Sequence, residues 1–400
     1  MERRVTPQRA IEIASSHPIP REVENVALDQ SGDRVLATPL SSLVDDPRFD
    51  NSAMDGFAVR LEDITEGASL SIVGESRAGG PEPPSIGPGE ACRIMTGARI
   101  PVGADSIVVV EDTTESGSKV RINGRARPNF IRKRAENLSI GQEALPAGTL
   151  LGPAEMGLAA TMGHHQVTVV KKPRIAIVST GDELVAPGSE LASSEIYESN
   201  SYALSSLVDR MGCIPVRHHA VADTFEDLKV ALSSLHECDA IITSGGVSMG
   251  NFDLVRKIME EEGDPLFWKV TMRPGGPPMF GIWEGKPLFA LPGNPVSSLV
   301  VFHLLVEPWI ADSLGYNEEV GPRLSRKVTV RLEDDVAGAP GKLCLRRIRI
   351  RSENGELLAT THTHQGSGNM HSMVAHNGLT LLPPDTNGKP GQIIEALWIH

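Results

Sequence analysis

Three apolar runs in this chain end in small polar residues: Ser179-Thr180-Gly181-Asp182-Glu183, Thr243-Ser244-Gly245-Gly246-Val247-Ser248 and Leu291-Pro292-Gly293-Asn294-Pro295. Glycine in such a turn lets backbone N–H groups approach an anion. A helix start beside it adds about 0.3–1 kcal/mol of favourable field per charge. Any one of these turns is explained as well by a tight exit from a strand; three together point to an anion-binding edge. Asp182, Glu183, Asp223 and Asp253 fall on or near that edge. Carboxylates beside an anion site make chemical sense if a hard divalent cation bridges them, because Mg²⁺ takes carboxylate and phosphate oxygens together. Helix capping competes for two of them. It is the favoured reading of Asp223, which precedes Thr224-Phe225-Glu226-Asp227, and an equal one for Asp253.

A second polar constellation lies earlier. Asn51–Val59 sets Asp55 among small residues, and Arg93–Ala98 with Pro101 and Gly103-Ala104-Asp105 repeats the pattern with the hydroxyl of Thr96. Two tight turns account for both equally well. Histidines carry less: His362 and His364 share a strand face but lack a third ligand, and His164-His165 and His218-His219 point to opposite faces if extended. Arg347, Arg349 and Arg351 read as a charged, solvated strand edge. No Gly-x-Ser-x-Gly, Walker loop, His-Glu-x-x-His or dinucleotide spacing is present.

The elements that must position these residues differ along the chain. From Pro173, apolar strands (Arg174–Thr180, Ile214–Val221, Asp239–Thr243, Pro287–Leu291) alternate with helical spacings (Asn200–Met211, Thr224–His236, Asp253–Glu262, Val296–Val306). Alternation of this length predicts a parallel, doubly wound α/β sheet. Residues 47–150 instead carry short apolar runs between Gly/Pro clusters, the texture of a small β unit. A short helix is expected over Thr6–Ser16, segment 125–150 reads as a connector, and the tail from 321 returns to β texture, a small barrel or sandwich.

At 400 residues the chain has room for two to three domains of about 150 residues. Its 38 Lys and Arg against 51 Asp and Glu leave a net charge of −13, which argues against nucleic acid or an anionic membrane as partner. The four cysteines are scattered and read as free thiols of a reducing cytosol. No apolar signal core opens the sequence, and the most apolar helical stretch, Ser298–Val306, is too short to span a bilayer. The expected location is the cytoplasm.

Together these strings resemble one family. Ser52–Val59, Arg93–Pro101, Gly103–Asp105, Ser179–Leu184, Glu198-Ser199-Asn200, Ser244–Ser248, Leu291–Ser297 and Gln365-Gly366-Ser367-Gly368 occur in the order seen in molybdopterin molybdenumtransferases, the MoeA proteins related to the gephyrin E domain. The resemblance covers nearly the whole chain. It implies a multidomain α/β plus β fold: a doubly wound molybdopterin-binding domain (1–26 and 173–320), a hinge domain (27–46 and 139–172), a β-rich domain (47–138) and a C-terminal small β-barrel (321–400). It also implies a homodimer whose cleft joins the α/β domain of one subunit to the β-rich domain of the other.

The implied reaction is Mg²⁺-dependent insertion of molybdate into adenylylated molybdopterin with release of AMP, the substrate being supplied by an adenylyltransferase. By motif match, Glu183 and Asp253 hold Mg²⁺ with Asp182 beside them, and Asp223 and Arg273 join the catalytic set. Thr180, Gly181, Ser244, Gly245, Gly246, Ser248, Pro292, Gly293, Asn294 and Ser297 hold pterin and phosphate, Ser367 lines the oxyanion pocket, and Asp55 and Thr96 reach in from the partner. Three positions depart from the family pattern: Arg273-Pro274-Gly275-Gly276-Pro277 stands for Lys-Pro-Gly-Lys-Pro, Ala135-Glu136-Asn137 for Gly-Glu-Asp, and Asn251-Phe252 precede Asp253 where an acid is common. Gly276 and Asn137 raise one alternative, a non-catalytic binding paralogue; another is the same reaction with tungstate, a tetrahedral dianion of nearly the same size and charge as molybdate.

Overall fold

In a computed structural model, which describes residues 1–65, 67–246, 254–316, 321, 324–361 and 364–399, the apolar runs after residue 173 become neighbouring strands of one sheet. Its seven strands lie in the order Glu2–Val5, Asp264–Val270, Met279–Trp283, Lys286–Leu291, Ala240–Ser244, Arg174–Ser179, Ile214–Arg217. Ala240–Ser244 and Arg174–Ser179 are buried at nearly every residue, as strands covered on both faces must be. One face packs against helices Pro7–Ser15, Asn200–Arg210 and the helical run from Pro295 to Leu314; the other packs against Phe225–Ser233 and Leu254–Glu261. Helices on both faces make the unit doubly wound.

Two details correct the sequence reading. The sheet is not wholly parallel: Met279–Trp283 runs against both its neighbours. Glu284 and Gly285, both at positive φ, close a two-residue hairpin into Lys286–Leu291, and a link that short admits no parallel crossover. The apolar helix is also longer than its pattern predicts. Pro295–Val301 continues through a π-helical segment, Phe302–Val306, into Glu307–Leu314. Pro308 lies inside this continuous run, just after the π-helical segment, so its missing N–H removes an interior helix bond. The whole run of 20 residues, mean hydropathy 1.2, is long and apolar enough to cross a membrane, but 72% of it is buried inside the protein as a core helix.

The Gly/Pro-rich region folds as a six-stranded sheet, ordered Ser106–Val109, Gly56–Val59, Glu90–Ile94, Ser69–Ser76, Lys119–Ile122, Thr113–Ser116. Its two faces bury separate clusters, one around Phe57, Leu70 and Val108 and the other around Ile94 and Ile107. The chain enters and leaves through paired flanks: Val23–Ala27 pairs with Gln166–Val170, and Leu40–Ser41 with Glu143–Leu145. Leu36, Leu151, Met162 and Val169 fill the core between those flanks and helix Pro153–Thr161.

The tail closes a five-stranded barrel in the order Arg326–Leu332, Glu356–Thr361, Arg347–Glu353, Gly378–Thr380, Ile393–Trp398. It shares a core with the α/β unit through Leu345, Met373, Leu379 and Leu397. A two-residue parallel ribbon, Met272–Arg273 with Leu343–Cys344, stitches the two together.

Candidate active site

Registry brings the three small-residue turns to one edge. Ser179 is level with Ser244, and Ser244 with Leu291, so the strands that carry them end together. The ladder runs one step further, with Thr180 N donating to Ser244 O and Gly245 N to Leu291 O. Gly245 has φ +107°, and a Cβ there would stand 2.6 Å from the carbonyl oxygen of Thr180; only glycine fits this turn.

Between the strand ends and the barrel opens a cleft of about 870 Å³. Of the residues expected to bind cofactor or substrate, Thr180, Ser244, Gly245, Gly246, Pro292, Gly293, Asn294, Ser297 and Ser367 line it, joined by Glu183, Asp223 and Arg273. Gly181 and Asp182 sit just behind the lining, Asp182 through a bond in which its Oδ1 accepts from Asp223 N at 2.9 Å. Ser248 and Asp253 lie outside the described residues, as does His362.

The cleft has an acidic wall and a basic wall. On the acidic side, burial and the nearby charges of Asp182 and Glu183 push the Asp223 carboxyl above the usual range. Asp223 is not the helix cap that its position suggests. Thr224 takes that role, accepting from Asp227 N at 3.1 Å, which leaves the Asp223 carboxylate free to face the cleft. Among the described residues no three His, Cys, Asp or Glu side chains form a complete metal-binding set. Mg²⁺ does not require one, since it keeps several waters and accepts one or two carboxylates plus substrate phosphate. Glu183 and Asp223, whose carboxyl is raised by burial and by the charges of Asp182 and Glu183, fit such an ion.

On the basic side, the ribbon Met272–Arg273/Leu343–Cys344 sets Arg273 near Arg346, and both line the cleft. Arg346 is absent from the residues picked out by sequence. The arginine pattern that follows it draws attention instead, and there the expected solvated edge is corrected: Arg349 and Arg351 are exposed, but Arg347 is buried where the barrel meets the α/β unit. Gly276 faces away, a Cβ there approaching Met272 O at 3.3 Å.

Asn200 also escapes the sequence reading as a site residue, although it ends the Glu198-Ser199-Asn200 string. Its Nδ2 donates to Ser244 Oγ at 2.8 Å and to Gly293 O at 2.7 Å, tying two of the three turns to the start of helix Asn200–Arg210. Buried Glu198 fixes that start, accepting from Ser179 Oγ, Ser201 N and Ser201 Oγ. The signal was a polar triplet at a helix start after a strand.

Asp55 and Thr96 come together, but elsewhere. Gly56–Val59 pairs with Glu90–Ile94 so that Gly56 opposes Ile94, and Asp55 Oδ1 accepts from Thr96 N at 2.6 Å. That bond holds the Asp55 carboxyl below its usual range. Neither residue lines the cleft of its own chain. Three of the other histidines are locally engaged, His164 with Ser41 O, His218 with His219 O and His364 with Asn369. All four cysteines are free and buried, and burial pushes the Cys92 thiol to about 11 and that of Cys213 to about 12.

Residues 5–163 match the MoeA N-terminal region (domains I and II), residues 176–312 a probable molybdopterin binding domain, and residues 329–398 the MoeA C-terminal region (domain IV). A molybdopterin molybdenumtransferase of Haemophilus influenzae is 34% identical over 371 residues, 91% of each chain. One from Nostoc is 39% identical over 301 residues, covering 72% of this chain and 69% of the relative. A solved molybdopterin biosynthesis moeA protein of Pyrococcus horikoshii superposes with a TM-score of 0.83 at 28% identity, covering 99% of this chain and all of the other.

Proposed function

The chain belongs to the MoeA family of molybdopterin molybdenumtransferases, and from that premise we propose that it inserts molybdate into adenylylated molybdopterin with Mg²⁺ and releases AMP. One observation carries this reading: a single cleft presents glycine-turn amides, a carboxylate wall and an arginine wall to the same space. Those are the three kinds of group that a phosphate-bearing pterin, a divalent cation and an oxyanion need.

The turn amides of Gly245 and Gly246 and the helix start after Asn294 hold the phosphate end of the pterin, since backbone N–H groups and a helix N-terminus both favour negative charge. Ser244 and Asn200 keep those turns at fixed spacing. Arg273 and Arg346, which share the cleft lining with Ser367, hold the molybdate; Arg273 offers a planar fork where the family pattern has a lysine. Glu183 and Asp223, with Asp182 behind, would hold Mg²⁺, which when bound neutralises charge on the phosphates. Asp223, with its raised pKa, takes up a proton on its carboxylate more readily than an ordinary aspartate. A bound cation would relieve the same repulsion in place of the proton.

Asp55 and Thr96 complete the cleft from a second copy of the chain, so the working unit is a homodimer. Their separation from their own chain's cleft, together with the fixed negative charge of Asp55, supports that arrangement.

AMP release from adenylylated molybdopterin, assayed with molybdate and tungstate separately and with Mg²⁺ present or chelated, tests the reading. The expected result is release that requires both the oxyanion and the metal, with the preferred oxyanion identified by its rate. Substrate binding without AMP release under every combination overturns it in favour of a non-catalytic binding protein.

A further inference from the structure

The barrel side of the molecule grips the core helix at two places. At the helix start, Val296 N donates to Ser367 O at 3.1 Å, beside the cleft that Asn294, Ser297 and Ser367 line. Glu307 makes the second grip, about 18 Å further along the helix. Its Oε1 accepts from Leu324 N at 3.0 Å and from Ser325 N at 2.8 Å, and the Ser325 hydroxyl lies 3.0 Å from both of its oxygens. Leu324 and Ser325 lead directly into Arg326–Leu332, the first barrel strand. On the helix's own side, His303 Nδ1 lies 3.0 Å from Glu307 Oε2.

This carboxylate lines no part of the cleft, and it sits in costly surroundings. Glu307 and His303 are each 6% exposed, in a stretch of helix whose Phe302, Leu305, Val306, Trp309 and Ile310 belong to the apolar core. Burying a carboxylate is unfavourable unless hydrogen bonds replace its water, and an apolar residue would serve packing as well. What the carboxylate adds is direction. Bonds to two consecutive N–H groups fix one register of the barrel's first strand against the helix, where an apolar contact would let it slide. The wider π-helical turn of Phe302–Val306 comes immediately before Glu307 and re-aims the residues that follow it. Two other ties between the units, the Val296–Ser367 bond and the ribbon Met272–Arg273/Leu343–Cys344, both lie at the cleft. Ties at the cleft alone would act as a hinge; a tie far from them sets the angle.

We propose that Glu307 is a positioning residue: by gripping Leu324 and Ser325 it sets the angle between the barrel and the sheet, and so the aim of Arg346 across the cleft at the Gly245-Gly246 turn. Arg346 moves with the barrel, its N donating to Thr380 Oγ1 at 2.9 Å and its Nε to Ala337 O at 3.0 Å, whereas the turn moves with the sheet. A displacement of about 1 Å caused far from the chemistry can cost a hundredfold in rate. The kinetic part of the inference rests on the proposed function; the angle itself is measured without turnover.

Double electron–electron resonance on the intact protein reads the angle. Spin labels are carried by Val230→Cys on helix Phe225–Ser233 and by Val374→Cys on the barrel's short helix His371–Val374, both exposed positions, while the four native cysteines are buried. With Glu307 intact, one narrow distance is expected. Glu307→Leu keeps the apolar packing and removes the grip, and should broaden or shift that distance. Glu307→Gln, which keeps one accepting oxygen, should do so less, and Ser325→Ala, which removes only the hydroxyl, less again. In steady-state assays Glu307→Leu should raise the KM for molybdate about tenfold and leave that for adenylylated molybdopterin within about twofold, because the turns that hold the pterin phosphate belong to the α/β unit. A merely structural loss of folded protein would lower kcat and move neither KM.

An unchanged narrow distance in Glu307→Leu overturns the inference, and so does a shifted distance without the split between the two KM values. Either result leaves the proposed function standing. If Glu307→Leu does not fold, Glu307→Gln and Ser325→Ala decide by the same two readouts. Absence of AMP release in the parent protein breaks the proposed function instead, and the distance together with molybdate affinity by calorimetry then decides the role of Glu307.

Discussion

Asp55 and Asp223 are the same residue type at the rims of two different sheets, and the protein treats them in opposite ways. The Asp55 carboxylate accepts a short bond from Thr96 N, and this local donor holds its pKa down. Asp223 is partly desolvated and sees Asp182 and Glu183, and its pKa is pushed up. The first is a satisfied anion whose charge is fixed by its own turn. The second is a strained carboxylate whose charge is completed only by a cation or a proton. A motif that shows Asp in both places says nothing of this difference, because it arises from what each backbone brings near the side chain. In a chain of net charge −13, anionic substrates must be held by such local arrangements and not by the field of the whole molecule.

The sharpest way to break the comparison asks whether the two aspartates serve one site. Asp55→Ala and Glu183→Ala should each abolish AMP release as separate homodimers. Unfolded together and refolded, or co-expressed, they form mixed dimers in which one of the two composite sites carries both native residues, so about a quarter of wild-type activity should return. No recovery from a population shown to contain mixed dimers means that Asp55 acts on its own chain's cleft or on none.

Much of this arrangement was legible in the sequence, for physical reasons that differ by residue. The three turns announce themselves because glycine after a buried apolar strand is rarely needed for packing, and Gly245 is there because a Cβ would strike Thr180 O. The doubly wound sheet follows from its alternation of strands and helices. The antiparallel strand Met279–Trp283 was hidden because its link is a two-residue turn built on Glu284 at positive φ, a residue with no turn signature. Arg346 and Arg347 were hidden for another reason. Their alternation suits an exposed strand, and only the docking of the barrel onto the α/β unit buries one and turns the other into the cleft. Asp223 was misread as a cap because Thr224, one position on, competes for the same helix end and wins.

A second test sharpens the contrast through stability. The pKa of Asp55 is lowered by folding, so its ionised form stabilises the protein above the unfolded-state pKa, and that contribution is lost as pH falls through the folded value. Asp223 runs the other way: its folded pKa is raised, so ionisation is unfavourable above that value and the penalty disappears as pH falls through it. Asp55→Asn should therefore lower the thermal midpoint at neutral pH. Asp223→Asn should raise it slightly, through a stability gain of no more than about 0.5 kcal/mol once solvent screening is allowed for. Both differences should shrink toward zero on acidification. Added Mg²⁺ should stabilise wild type and not Asp223→Asn. Midpoints measured from about pH 2 to pH 8, a range that reaches below the lowered Asp55 value, with and without the metal, decide it; changes of the same sign in the two variants would remove the physical basis of the contrast.

The smallest effect concerns a carboxylate that this chain lacks. Asn137 occupies a position where the family pattern has an acid, and its Nδ2 donates to Asp46 Oδ2 at 3.0 Å. Around it, Asn137 N and Leu138 N both donate to Asp46 O, and Asp46 N donates to Leu138 O, so residues 46 and 137 are held face to face where the paired flanks meet the β-rich region. Asn137→Asp replaces a donor with a second acceptor and sets two exposed carboxylates against each other. The new group has a raised folded pKa, so the penalty is present above that value and fades as pH falls through it. Screening limits it to about 0.2–0.5 kcal/mol, and salt reduces it further. AMP release per folded molecule should be unchanged, because the Asn137 amide is turned onto Asp46 of its own chain. A rise in turnover would instead make Asn137 a lost member of the reacting set, and would move the acid that the substrate needs from the α/β edge to the β-rich module.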